Sequence, residues 1–150
     1  MIQKAKMPDA KAIQRLVNSY AEQGKLLPRS LSDIYDYLRD FFIYKERNHD
    51  VVGVCALHLC WEDLAEIRSL AVDPTKSNKR IGEHLVGACL QEAQQLGIRR
   101  VFLLTYIPSY FERFGFRVVH KSALPQKIWR DCISCIKFPD CDETAMIQSL

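Results

Sequence analysis

One stretch constrains this chain more than any other, Glu66 to Glu83, which reads EIRSLAVDPTKSNKRIGE. Its first seven residues alternate in the manner of a strand whose successive side chains point to opposite faces. Unbroken alternation puts Glu66, Arg68, Leu70 and Val72 on one face and Ile67, Ser69 and Ala71 on the other. Asp73-Pro74 ends the strand, because proline donates no ladder hydrogen bond and restricts the residue before it. A polar, basic loop from Lys76 to Arg80 follows, and a helix begins near Ile81-Gly82. That helix carries Ile81, Leu85, Ala88, Cys89, Ala93 and Leu96 on one side, with Gly97 as its C-terminal stop. The apolar run RVFLLT, Arg100 to Thr105, is then a buried strand. A strand, a helix of this length and a second strand make a crossover, so the two strands run parallel. The strand-to-helix corner brings together unsatisfied backbone N–H groups and the positive end of the helix dipole. It is therefore a site for a phosphate, with the carboxylate of Glu66 on the strand that feeds it.

The remaining segments fit around this unit. Ile2 to Lys6 is an edge strand. Pro8 and Asp9 suit the first turn of a helix whose apolar positions are Ile13, Leu16, Val17 and Tyr20, closed by Gly24. After the loop Lys25 to Arg29, Ser30 and Asp33 form a capping box for a second helix bearing Leu31, Ile34, Tyr35 and Leu38. Phe41 to Tyr44 is a strand, and Arg47 to Asp50 a hairpin turn. Val51 to Cys60, VVGVCALHLC, is almost continuously apolar and reads as a strand buried on both faces. Pro108 to Phe114 is a short helix and Phe116 to His120 a last strand. From Ser122 onward the periodicity fades into a cysteine-rich tail packing on the rest. The order indicates one domain over residues 1–150 with a mixed α/β (α+β) sheet.

Composition excludes several functions. A net charge of +3, 21 basic against 18 acidic residues, is too weak for a nucleic-acid or membrane surface. No apolar run approaches the roughly 20 residues that span a bilayer, and the polar start MIQKAKMPDA holds no signal-peptide core. A cytoplasmic protein with mostly reduced cysteines is expected. No repeat or linker divides the chain. A homodimer is left open.

With these residues in this order, the chain resembles the GNAT acetyltransferase superfamily over nearly its whole length. LAVDPTKSNKRIGEHLV resembles the acetyl-CoA motif, a strand ending in V-x-P, a loop of the form R/Q-x-x-G-x-G/A and a helix. YFERFGF, Tyr110 to Phe116, resembles the second motif. GKLLPRS, AEIRSLAVDP, LLTYIPSYFERFGF and ALPQKIWRDC are similar to short amino-acid N-acetyltransferases of the N-acetylglutamate synthase type. The resemblance implies a mostly antiparallel sheet flanked by helices on both faces. It also implies acetyl-CoA held by the backbone of Leu70, Ala71 and Val72 and by the corner Ser77, Asn78, Lys79, Arg80, Ile81, Gly82 and Glu83. The corner departs from the pattern, which has Arg or Gln at Ser77 and glycine at Asn78 and at Arg80; only Gly82 matches. Asparagine tolerates positive φ, and the charges of Lys79 and Arg80 suit direct contact with phosphate.

Acetyl transfer to an amine needs a neutral amine, a stabilised oxyanion and a proton for the leaving thiolate. The resemblance makes Glu66 the base; the plainer reading is a strand carboxylate paired with Arg68. For the acid, Thr105, Tyr106 and Tyr110 stay open. The superfamily tyrosine falls at Phe111, one residue or about 100° of helix from Tyr110, and Tyr110 also reads as a core aromatic. A glutamate-like substrate needs cations for two carboxylates. Arg29 matches an arginine of the substrate loop, Arg68 shares the face of Glu66, and Lys127 and Arg130 are weaker candidates. The expected function is acetyl transfer from acetyl-CoA to the α-amine of glutamate or a related amino acid. A GNAT enzyme for another amine and a non-catalytic acyl-CoA-binding module are the alternatives.

Cys132, Cys135 and Cys141 form one CxxC with a third cysteine, a weak signal for structural zinc with Asp131, Asp140, Asp142 or His120 as fourth ligand. A single CxxC argues rather for a reduced, packed tail or an adventitious disulfide, and against a zinc-knuckle nucleic-acid binder. Cys55, Cys60 and Cys89 read as small core residues. His49, His58 and His84 have no spaced partners and receive no ligand role.

Overall fold

A computed structural model describes residues 1–124 and 142–150. In chain order these form β1 (Ile2–Lys4), α1 (Ala10–Glu22), α2 (Leu31–Asp36), β2 (Phe41–Lys45), β3 (Val51–Trp61), β4 (Leu64–Val72), α3 (Ile81–Gln95), β5 (Arg100–Thr105), α4 (Pro108–Glu112), β6 (Arg117–Val119) and β7 (Thr144–Ser149). The strands make one seven-stranded sheet in the order β1-β2-β3-β4-β5-β7-β6. Every neighbouring pair is antiparallel except β4 with β5, which are parallel, as a connection through a 15-residue helix requires. Among the described residues no helix is long and apolar enough to cross a membrane.

Local chemistry accounts for the element ends. Ser30 accepts a hydrogen bond from the N–H of Asp33 and starts α2. Gly97, at φ 82°, follows the last turn of α3 and supplies the left-handed residue that ends a helix. Leu96 therefore lies at the helix end and is exposed rather than on the apolar side, and Tyr35 is likewise exposed.

Three clusters build the core. On one face, Ile81, Leu85, Val86, Cys89 and Ala93 of α3 pack on Cys55, Leu57, Ala65, Ile67, Val101 and Leu103, with Phe111 and Phe116 closing one end. On the other face, Ala10, Ile13 and Val17 of α1 and Ile34 of α2 cover Phe41, Ile43, Val54, Ala56 and Ala71. A third cluster on that same face joins Leu64, Phe102, Ala145 and Ile147 to Leu124. Each fully buried aliphatic or aromatic side chain here contributes about 1.5–3 kcal/mol. Cys55 and Cys89 are fully buried free thiols. A hydrogen bond between them, together with burial, pushes the Cys89 thiol well above its ordinary value, so it stays neutral.

Two expectations are corrected. The strand over Glu66 to Val72 does not alternate throughout. Ala56 pairs with Arg68 and Val54 with Ala71, so Ser69 and Leu70 together oppose the single residue Cys55. Ser69 takes φ 58° in this bulge. The bulge reverses the phase: Leu70 and Val72 join the α3 face, and Ala71 joins the face of Glu66 and Arg68. The tail also does not merely pack on the domain. Its last residues form β7, hydrogen-bonded between β5 and β6, so the strand near Phe116 to His120 is not the last. Ala145, Met146 and Ile147 are buried on alternate faces, which erases the half-polar rhythm of a surface strand.

Gly53 sets how closely α3 approaches the sheet. A Cβ at this position would lie 2.7 Å from Ile81 Cγ2 and 2.9 Å from Leu85 Cδ1. Gly53→Val is therefore expected to lower stability by about 1–3 kcal/mol through overpacking, read as a lower urea midpoint at unchanged slope.

Candidate active site

The sheet opens where the site is built. β4 and β5 are joined by three register pairs, Leu64–Arg100, Ala65–Val101 and Glu66–Phe102, and the ladder stops there. Among the described residues, the β5-facing edge of β4 has no ladder partner from Ile67 onward, which leaves its backbone groups for a bound molecule. The stretch that parts contains the bulge at Ser69 and the backbone of Leu70, Ala71 and Val72. Tyr20 of α1 donates a hydrogen bond to the carbonyl of Val72, which ties the end of the strand to α1.

Charged groups collect on the face covered by α1 and α2, in the strip between its two apolar clusters. Arg68 Nη1 lies 3.6 Å from Glu66 Oε1, and the two side chains are 26% and 15% exposed. Arg29, in the loop between α1 and α2, reaches over from the other side. Its backbone N–H and carbonyl are both held by the Asn18 amide. Its guanidinium donates from Nε to Asp33 Oδ2 at 2.6 Å and from Nη1 to Ser69 Oγ at 3.3 Å. The Ser69 bond explains the use of the bulge, which turns that hydroxyl toward the arginine. Both guanidiniums lie over the ring of Tyr37, Arg29 at 5.7 Å and Arg68 at 5.6 Å from its centroid. Arg68 Nε is buried and has no hydrogen-bond partner among the described residues. A buried, unsatisfied donor on a cation costs on the order of 1–3 kcal/mol, and a carboxylate placed there would recover it.

Of the acid candidates, Tyr110 falls on the opposite face. Tyr110 of α4 packs against the α3 cluster, edge-on to Phe111 and Phe114. Its hydroxyl sits over Gly82, where an added Cβ would collide with it. This contact gives the glycine a reason that loop pattern alone does not. Burial, and secondarily the nearby Cys55, raises the Tyr110 phenol above its ordinary value, so it holds its proton through the neutral range. Phe111 is buried in the core and has no part in the site. Thr105 is buried, and its Oγ1 accepts from the N–H of Ile107 at 2.9 Å, turning the chain out of β5. Tyr106 donates to Asp142 Oδ1 at 2.8 Å on the exposed side. Glu66 and Tyr110 thus lie on opposite faces of the sheet.

The corner after β4 is a 3-10 turn over Pro74–Lys79, capped by Asp73, which accepts from Thr75 N–H and Oγ1. Those two bonds hold the Asp73 carboxyl below its usual range. Arg80 is the residue before α3 and adopts φ 55°, ψ 30°. A left-handed residue is what a glycine in this loop would supply. The Arg80 side chain extends into solvent, so its Cβ does not close the corner, and its Nε lies 4.0 Å from Glu83 Oε2. Glu83 also pairs with Arg113, the residue after α4, which stacks on Tyr110. Ile81 and Gly82 are buried at the start of α3. The side chains of Ser77, Asn78 and Lys79, and all of Lys127, Arg130, Cys132, Cys135 and Cys141, lie outside the described residues. Among those described, no group of three or more His, Cys, Asp or Glu residues is placed to hold a metal.

Comparison with known proteins identifies this arrangement. Residues 10–116 match the model of the acetyltransferase (GNAT) family. The chain belongs to that family. This GNAT domain is 41% identical to an uncharacterized N-acetyltransferase of Chlorobaculum tepidum, over 99% of its own length and 96% of that protein. It is 36% identical to an amino-acid acetyltransferase of Mycobacterium tuberculosis, over 86% of its length and 75% of that protein. It also superposes on the N-acetylglutamate synthase of Neisseria gonorrhoeae, solved with coenzyme A and N-acetyl-glutamate, with a TM-score of 0.90 and 27% identity. That match covers 100% of this chain and 35% of the other.

Several members of the site carry no signal in the sequence. Asp33 reads as half of a capping box and Ser69 as an alternating strand residue, and Tyr37 is not among the residues the sequence singles out. Tyr20 reads as one of the apolar positions of α1. Each acts through a partner 4 to 52 positions away in the chain. The positive φ at Arg80 can be tested by itself. Arg80→Gly should leave the melting temperature at or above that of the parent, because a left-handed non-glycine residue costs roughly 1–2 kcal/mol. Arg80→Val should lower it in the same thermal unfolding measurement.

Proposed function

We propose that this GNAT domain transfers the acetyl group of acetyl-CoA to the α-amine of an amino acid, glutamate in the first instance. The observation that carries the reading is the pairing of two guanidiniums over Tyr37, one with an unsatisfied buried Nε, beside the carboxylate of Glu66. An acidic amino acid offers two carboxylates for two guanidiniums and leaves its ammonium toward Glu66. The names of the Mycobacterium and Neisseria relatives support the same substrate class. The chain spans about a third of the Neisseria protein, so nothing that depends on the rest of that protein comes across.

In this reading acetyl-CoA lies with its pyrophosphate against the first N–H groups of α3, and its thioester enters the gap beyond Glu66–Phe102. The exposed backbone of Leu70 to Val72 supplies donors for the acetyl carbonyl, where negative charge develops. Arg29 and Arg68 hold the acceptor, and Glu66, directly or through a water, removes the proton from its ammonium. The neutral amine attacks the carbonyl carbon, the tetrahedral oxyanion collapses, and the C–S bond breaks. The Tyr110 hydroxyl, on the α3 face and still protonated at neutral pH, is the best placed of the three candidates to return a proton to the departing thiolate. Thr105 is committed to its turn and the Tyr106 hydroxyl to Asp142. A cytoplasmic protein is consistent with this reading.

The deciding assay supplies acetyl-CoA and a panel of amino acids and amines and follows thiol release. Glutamate should be acetylated, and Glu66→Gln should cut kcat by about 100-fold or more with little change in KM for acetyl-CoA. Binding of acetyl-CoA without turnover on any amine would sink the reading. Arg68→Ala should raise KM for glutamate about 10- to 100-fold, the worth of a charge-assisted hydrogen bond, while KM for acetyl-CoA stays put. If basic amines are preferred over acidic ones, the assignment of the two arginines is wrong.

A further inference from the structure

We infer that His58, oriented by Asp40, carries the proton that Glu66 takes from the amine and delivers it to solvent. This rests on the proposed acetyl transfer. His58 of β3 and Glu66 of β4 are register partners in the antiparallel ladder, so their side chains stand on the same face with Cβ atoms about 4.5–5.5 Å apart. His58 Nδ1 lies 2.7 Å from Asp40 Oδ2. A carboxylate only accepts, so Nδ1 carries the proton and Nε2 presents the lone pair. The ring of Tyr37 stands edge-on to His58 at 5.3 Å and 82°, which fixes the imidazole plane. The same tyrosine carries both substrate-facing guanidiniums, so acceptor binding and the orientation of His58 share one support.

Among the described residues, the groups that face His58 are Asp40 from the turn before β2, Tyr37 from the end of α2, and Glu66 and Arg68 from β4. The side chain of His58 is 22% exposed and that of Asp40 21%, and the strand continues into the exposed residues Leu59 and Trp61. His58 therefore reaches water while its neighbour Glu66 is more enclosed, at 15%. With Nδ1–H held by Asp40, Nε2 is left as the acceptor for a proton handed on by a neighbouring carboxylate. The step is a proton movement alone. The ammonium N–H bond breaks, the proton passes by way of Glu66 to Nε2, and the imidazolium paired with Asp40 releases it to water. His58 is a positioning and relay residue and does not touch the substrate.

The test compares the full-length wild type, His58→Gln, His58→Ala and Asp40→Asn between pH 6 and 9, with glutamate and acetyl-CoA as substrates. His58→Gln should lower kcat about tenfold, less than the ~10²–10⁴ of a direct acid–base group, and change the pH profile of kcat. Both KM values should remain within about twofold. Added imidazole should restore His58→Ala in proportion to its unprotonated fraction. Asp40→Asn should shift kcat in the same direction, and it decides the matter if the His58 variants do not fold. A wild type that acetylates glutamate while His58→Gln keeps its rate overturns the relay alone. So does a loss that follows the melting temperature, leaves the pH profile unmoved and ignores imidazole. A wild type that releases no thiol with any amine overturns both the relay and the function it rests on.

Discussion

The parting of β4 from β5 is the constraint on which the rest depends. Two parallel strands stay paired for three residues and then separate, and Glu66 stands at the last of those pairs. A buried sheet edge carries unsatisfied N–H and C=O groups, which is costly unless another molecule satisfies them. The fold accepts the opening because each side is held elsewhere. β4 is bonded along its other edge to β3, and its end is tied to α1 through Tyr20. β5 is bonded along its other edge to β7. The last strand of the chain is therefore part of what allows the gap to exist.

The bulge at Ser69 couples this opening to recognition. One extra residue in β4 turns Leu70 and Val72 toward α3 and sets the Ser69 hydroxyl against Arg29. A strand without the bulge would bring Leu70 onto the charged face and withdraw Ser69 from it. The positive φ at Ser69 is local strain held by the surrounding pairing, of the kind that clusters at functional sites. The charged strip survives between two apolar clusters because its members compensate one another. Arg29 is bound to Asp33, Arg68 lies near Glu66, and His58 is bound to Asp40, with Tyr37 shared by three of them.

The corner at α3 shows a substitution that the backbone tolerates without adopting a new shape. Arg80 takes the left-handed conformation expected of glycine and points its side chain outward. Gly82 has to be a glycine for a different reason, since Tyr110 lies over it. Glu83, a carboxylate in the first turn of α3, is flanked by Arg80 and Arg113, which offset its charge.

The sequence by itself determined the crossover around α3, the order of the helices and of the first six strands, and the face shared by Glu66 and Arg68. These follow from local periodicity, caps and proline, which act over a few residues. It also pointed to Arg29, through a resemblance and not through periodicity. Three things were decided only in the tertiary structure. Ser69 reads as an alternating strand residue until Cys55 is seen opposite two residues at once. Thr144 to Ser149 reads as tail, because a strand buried on both faces has no alternation to detect. His58 reads as one more residue of an apolar strand until Asp40, Tyr37 and Glu66 arrive from three other elements. In each case the deciding partner is set by register or packing between segments, and no local pattern along a single segment encodes which residue of another segment it will meet.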